Sequence, residues 1–500
     1  MTFSIKEKSI CWTIFILYVF VICCAMFYHE PWGDELHCWN IAKASGSLGE
    51  LLYNKRYEGH PPVWYIILWA TAKFTHDPVY MQVVHLIVAI LIVFLLLFKS
   101  PLPIFIKILI PFGYFFLFEY AVISRDYATG VLMGFLVCIL LKKKVKYKLF
   151  LYYALLLVMS NAHLLALLMA ASLHLYFLIS FFEKGKKINV IVVHLLAGAV
   201  VFLPAVYFIV PPGDSELSIA SWIGRWNKNQ LASDLQVPIR AFIPIPAWWK
   251  YSFWNTQFLI QLQARFGVLK IVNVIIDVAL VISGAFILKG NKKSLIFFIT
   301  NITLTFMTGL IYPMVTERYA GFMFIGFIVA CWLHYFEKPI SNNKIKVVNA
   351  LLVIQLIAGV FVVYKDISLP FSNFYKVKQL LNRLPENEQV VSDYWASVGF
   401  SAYVDKPIYC VDMQESILFM LWGSKITEAH KYPARYYRGI FNLFQKEGIK
   451  KTYMLSTNTI QELFKTDSKL FSSFHVQLVD KVDGAIEKWS SLYLYQISSL

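Results

Sequence analysis

The residues best suited to chemistry fall in five short polar stretches that interrupt long apolar runs. In His29-Glu30-Pro31-Trp32-Gly33-Asp34-Glu35 two carboxylates stand side by side. Adjacent side chains on a helix point about 100° apart, so at most one of Asp34 and Glu35 squarely faces a given substrate atom, where it could take a proton from a hydroxyl. The plainer reading is that both acids cap the helix that follows and offset its dipole. In Tyr57-Glu58-Gly59-His60-Pro61-Pro62, the glycine and the proline pair fix a turn and hold His60 at a helix start, with Glu58 beside it. Two further stretches, Ser124-Arg125-Asp126-Tyr127 and Thr316-Glu317-Arg318-Tyr319, each set an acid against an arginine. The planar guanidinium fork suits a phosphate, although such neighbours can also simply neutralise each other. Asn161 and His163 occupy a fifth stretch, a short turn that could be no more than a helix break. Together these residues offer a base for a hydroxyl, cations for a phosphate leaving group and a belt of Trp and Tyr beside apolar surface for a lipid tail.

The elements that must position these residues are membrane spans. Of the 500 residues 58% are apolar and only 15% charged, against roughly 45–50% and 25% in soluble proteins. An ordinary soluble enzyme is thereby excluded. Apolar blocks at 10–28, 78–98, 101–120, 127–141, 147–162, 163–182, 189–209, 268–288, 294–312, 319–336 and 346–364 predict eleven crossings. The net charge of +16 is concentrated in lysine clusters at 142–148, 184–187, 289–293 and 338–346. With eleven spans and a cytoplasmic N-terminus all four clusters fall inside, as the positive-inside rule requires, so the charge records orientation and no nucleic-acid partner is expected. A twelfth crossing at 61–74 would put all four outside. That segment, with Trp64, Tyr65, Trp69 and Lys73, therefore reads as a helix at or dipping into the outer surface. The same bookkeeping sends 29–77, 121–126, 210–267 and 312–318 to the outer face, together with the turn at 160–163.

Residues 1–364 thus form the transmembrane unit and 365–500 a small α/β domain outside the cytoplasm, with strands near 390–392, 408–411, 452–455, 476–479 and 492–497 and helices near 415–421 and 459–465. The outer segment 210–267 carries Trp222, Trp226, Trp248, Trp249 and Trp254 with Arg225, Arg240 and Arg265, and is expected to cover the site. Seven cysteines make no disulfide framework. A Cys38–Cys410 bridge is conceivable outside the membrane, and two free thiols are the simpler expectation. Asp34, Glu35 and Asp126 could converge on a divalent ion, but no residues have metal-ligand spacing, and neither metal nor other cofactor is expected.

The order of these motifs resembles the GT-C type of membrane glycosyltransferase, in the branch that holds protein O-mannosyltransferases and bacterial aminoarabinose transferases. The resemblance rests on the Asp34-Glu35 pair opening a long first outer loop, on His60-Pro61-Pro62-Val63-Trp64-Tyr65 before an aromatic helix, on Arg125-Asp126-Tyr127 and on Arg318-Tyr319 before a late span. It is firmest over residues 10–180. It implies an inverting transfer of a sugar from a polyprenyl-phosphate carrier to an acceptor hydroxyl of a glycolipid, glycan or protein, outside the cytoplasm of a bacterial inner membrane. Carried over by position, Asp34, or else Glu35, is the base, and His60, Arg125 and Arg318 hold the phosphate. Glu58, Asp126, Tyr127, His163, Glu317 and Tyr319 then line the substrate. His60 stands where aminoarabinose transferases have a lysine, which makes that contact weaker or pH-dependent. The rival readings are a transporter or flippase for a lipid-linked sugar, which would need charged or broken helices at mid-membrane, and a polymerase or ligase for surface polysaccharide. His85, His174, His194, Asp277 and Lys107 lie within apolar blocks and read mostly as packing or interfacial groups.

Overall fold

The computed structural model describes all residues except 1–3, 186, 216–234, 311, 313 and 386–387; Trp222, Arg225 and Trp226 lie outside the described residues. Long apolar stretches form α1 (Ile5–Tyr28), α5 (Val79–Lys99), α9 (Leu164–Glu183) and α10 (Ile188–Ile209), all before residue 210. After it come the short α11 (Val237–Phe242) and α12 (Phe258–Gln263), then α13 (Leu269–Leu288), α14 (Lys292–Gly309), α15 (Glu317–His334) and α16 (Asn342–Ser368). Between these lie α2 (Gly33–Ala44), α3 (Leu48–Asn54), α4 (Val63–Ala72), α6 (Ile104–Leu109), α7 (Tyr127–Lys142) and α8 (Lys148–Ser160). Among the described residues six helices, α1, α5, α9, α10, α13 and α16, are long and apolar enough to cross a membrane, against the eleven expected. α7 and α8 are apolar but shorter, and α14 and α15 carry charged first turns that lower their mean hydropathy. Phe20, Val193, Leu203, Ile271, Ile275 and Ile282 stand exposed on the outward faces of α1, α10 and α13. Apolar faces of this extent suit lipid and not water.

The block 101–120 is not one helix. Pro101 and Pro103 precede α6, Pro111 lies in a 3₁₀ turn (Ile110–Phe112), Gly113 is extended, and a π-helical turn (Phe115–Glu119) follows. Prolines remove the amide donors that a continuous helix needs, so hydropathy alone misreads the segment. α15 is buried along nearly its whole length and forms the centre of the bundle, between α14, α11, α7 and α9. The segment 61–74 holds a helix, α4, which begins after Pro61-Pro62 and buries Trp64, Tyr65 and Leu68 against α2.

The C-terminal region folds as a six-stranded sheet of order β3-β2-β1-β4-β6-β5, from β1 (Val390–Ser392), β2 (Ile408–Cys410), β3 (Glu415–Ile417), β4 (Lys451–Ser456), β5 (Phe474–Val482) and β6 (Leu492–Ser499). β1 pairs parallel with β2 and β4, and the remaining pairs are antiparallel. The five expected strands are present. The helix expected at 415–421 is instead β3, because Gln414 adopts a positive φ of 55° and turns the chain back onto β2. The domain seats on α2: Asn40 donates to Val398 O at 2.9 Å, and the Lys43 ammonium pairs with Asp405 at 2.7 Å. All seven cysteines are free, so no Cys38–Cys410 bridge forms.

Candidate active site

The first turn of α2 separates the two acids. Glu35 returns to the helix start, where one carboxylate oxygen accepts the Trp32 N–H at 3.0 Å and the other accepts the Ser124 N–H at 2.5 Å. It also faces His29 Nε2 at 3.3 Å, and His29 Nδ1 contacts Asp366 at 3.1 Å. Burial disfavours charge on His29, but Asp366 and Glu35 outweigh it and push the imidazole up to about 10. The Glu35 side chain has no exposed surface, whereas that of Asp34 keeps 30%. Glu35, the second choice for the base, is thus engaged as a helix cap and in a buried contact with His29, while the first choice, Asp34, is the more open of the two. Asp34, rotated away from the cap, meets Arg318 Nη1 at 3.1 Å. Burial works against the Asp34 carboxylate, yet Arg125, Arg318 and His37 hold it below the ordinary carboxylate range.

The two arginines converge on this turn. Arg125 Nη1 donates to Asp34 O at 2.7 Å and approaches Cys38 Sγ at 3.1 Å, while the Arg318 guanidinium lies 5.2 Å from the centres of the Trp32 and Tyr319 rings. Arg125 Nε and Arg318 Nε are both buried and donate no hydrogen bond among the described residues. Each guanidinium thus keeps donors in reserve. Glu317 points elsewhere, to Arg240 on α11 at 2.7 Å, and both are buried. Glu317 thereby ties α11 to α15. Glu58 is likewise engaged, with His37 Nε2 at 2.9 Å and the Tyr65 hydroxyl at 3.3 Å, and it also borders the narrow cavity described below.

His60, Asp126, Tyr127, His163 and Tyr319 form a second group. Gly59 takes a φ of 65°, which frees the chain to turn before Pro61, and Val63 N–H donates to Asn161 O at 3.0 Å, joining the two turns. The His60 and His163 rings lie 5.3 Å apart, Tyr127 lies 4.4 Å from His163, and the Tyr319 and Tyr312 hydroxyls meet at 3.1 Å. Burial pushes His163 down to about 3 and His60 down as well. Burial opposes charge on Asp126 too, but His163, His60 and Arg125 hold it below the carboxylate range.

Two cavities flank these groups. One of about 570 Å³ opens between Trp32, Arg318, Tyr251, Trp254, Glu487 and Trp489. The other, narrow at about 50 Å³ and mostly apolar, is bounded by His60, His163, Leu165, Ile209, Met314 and Tyr319. Sequence reading passed over Glu487 and Trp489, which stand 170 or so positions beyond Arg318 in a region without a motif. It also passed over Lys55, fully buried with no hydrogen-bond acceptor, its ammonium 4.9 Å from the Phe208 ring. Burial pushes this lysine down to about 8. The only signal was its nearness to Glu58 in the chain. Of the histidines inside the apolar blocks, His85 has its two ring nitrogens 3.1 Å from the Ala121 and Arg125 carbonyls, and His174 contacts the Tyr152 hydroxyl and the His194 carbonyl. Asp277 caps α11 by accepting the Ile239 N–H at 2.6 Å. No protein-family model and no curated protein matches the chain.

Proposed function

We propose that the chain is an inverting glycosyltransferase of the membrane, moving a sugar from a polyprenyl-phosphate carrier to an acceptor hydroxyl. The observation that carries this reading is the partly open Asp34 carboxylate on Arg318, with Arg125 bonded to the carbonyl of the same residue and an open cavity lined by Trp32 and Arg318 beside them. A phosphate drawn to Arg318 competes with Asp34 for the guanidinium, so donor binding releases the carboxylate. Its pKa then rises and it becomes a better proton acceptor for the acceptor hydroxyl. Asp34 takes that proton as the anomeric carbon is attacked from the face opposite the phosphate. The spare donors of both guanidinium groups meet the negative charge that grows on the leaving phosphate. Burial in a site partly closed to water strengthens that interaction.

In this reading the bundle makes eleven crossings, with α14, α15, α7, α8 and the broken 101–120 segment among them, and the four lysine clusters face the cytoplasm. The sheet domain and the site then lie outside the cytoplasm of a bacterial inner membrane, and the acceptor is a glycolipid, a glycan or a protein. The test is a comparison of extracted glycolipids and surface glycans from cells with the wild-type chain, with Asp34→Asn and without the gene. Asp34→Asn should lower transfer by about 10²–10⁴-fold while the chain still inserts in the membrane. Full activity in that variant, or no glycan difference without the gene, would refute the assignment.

A further inference from the structure

Asp126 is 2% exposed, and neither of its carboxylate oxygens accepts a hydrogen bond. Among the described residues His60 Nδ1 comes within 3.4 Å of it, longer than the roughly 2.7–2.9 Å of a charge-assisted bond. A buried carboxylate without donors is costly unless something cationic completes it. Ligand atoms of His60, Asp126 and His163 all lie within 4.8 Å of one another.

We propose that His60, Asp126 and His163 bind a divalent transition-metal ion, with an open position toward the narrow cavity beside Tyr319. Two imidazole nitrogens and one carboxylate oxygen make a mixed set that suits zinc better than calcium or magnesium, which favour all-oxygen shells. An ion at the centre of the three sits about 2.8 Å or less from each, against roughly 2.0–2.2 Å for zinc bonds, so each side chain closes by about half an ångström. The three residues come from three separate turns that precede α4, α7 and α9. The bond from Val63 N–H to Asn161 O already holds two of these turns together, so the set is preorganised. The fourth position faces a cavity also bounded by Glu58, Tyr312 and Tyr319, where a phosphate or a hydroxyl oxygen could complete a tetrahedron.

One local bond changes on binding. His163 Nδ1 accepts the Leu165 N–H at 3.1 Å, which caps the start of α9 and leaves the proton of the neutral ring on Nε2. Coordination through Nε2 moves that proton to Nδ1 and gives up the cap, and coordination through Nδ1 replaces the cap directly. In both cases the Leu165 amide is released. Metal loading therefore has a backbone readout separate from any reaction, and the site stands whether or not the chain transfers sugar.

The experiment is elemental analysis of the full chain, purified in detergent, stripped with a chelator and reloaded with zinc chloride. The expected result is about one tightly held zinc per chain, a rise in thermal midpoint on loading, and faster hydrogen exchange at Leu165. His60→Asn, at a partly exposed position, and Asp126→Asn should each lose the zinc. Cobalt loading should give the intense visible bands of a tetrahedral site in the wild type and not in the variants. If stripped wild type takes up no zinc, or if both variants hold it as tightly as wild type, the proposal is overturned. Should Asp126→Asn fail to fold, the wild-type uptake and His60→Asn decide the matter alone.

Discussion

At the scale of single residues, two neighbouring acids have opposite environments. The sequence put Asp34 before Glu35 as the base, and the 100° between them on a helix already implied that the two would face different ways. Which one faced the helix start depended on Trp32 N–H, Ser124 N–H and His29, none of which spacing could bring together. The same blindness applies to Glu317, whose partner Arg240 lies 77 positions away. Glu35→Gln should therefore lower the thermal midpoint, with a cost of about 1–3 kcal/mol for leaving one of the buried Trp32 and Ser124 N–H groups without an acceptor. Asp34→Asn should leave the midpoint nearly unchanged while transfer is lost. Equal thermal effects would contradict this division. Glu487 gives a second test. Burial pushes its pKa up from 4.5 to about 7. Between these values the folded protein retains a proton that the unfolded chain has released, so stability falls as pH rises from about 4.5 through 7. Glu487→Gln should thus be more stable than wild type near pH 8, by up to about 3 kcal/mol, and nearly equal to it near pH 4. Thermal unfolding at the two pH values checks it.

At the scale of elements, hydropathy found where the long apolar runs are, because burial in lipid or protein rewards the same residues. It could not tell a continuous helix from the broken path through residues 101–120, where backbone donors and close packing decide. There Gly359 of α16 lies against the backbone at Phe112 to Tyr114, and an added Cβ would stand 2.4 Å from the Phe112 carbonyl oxygen. Backbone cannot swing aside as a side chain can. Gly359→Ala should cost about 1–3 kcal/mol, seen as a lower midpoint and faster proteolysis at the 101–120 segment, whereas Gly267→Ser, where an added Cβ meets nothing within 4 Å, should do neither. Strands in the C-terminal region were legible from their β-branched and aromatic runs. β3 was missed because the turn at Gln414, and not its own composition, sets its conformation.

At the scale of the whole molecule, the sheet domain is part of the site and not an appendage. It rests on α2 through Asn40 and Lys43, and its 486–489 loop forms one wall of the larger cavity opposite Trp32 and Arg318. Trp489, 68% exposed there, offers a flat apolar face of the kind that stacks on a sugar ring. Trp489→Ala should leave folding intact and raise the acceptor KM by about tenfold, a loss of one stacking contact, with kcat little changed. An effect on kcat alone would place Trp489 away from the acceptor. The His29 bridge has a further consequence for biogenesis. Its two carboxylate partners lie 6 and 337 positions away in the chain. During synthesis Glu35 and His29 reach the bilayer early, while Asp366, at the end of the final long apolar helix, emerges last. The three-member cluster therefore closes only when that helix is in place, which ties the order of the first turn of α2 to a residue made 337 positions after His29.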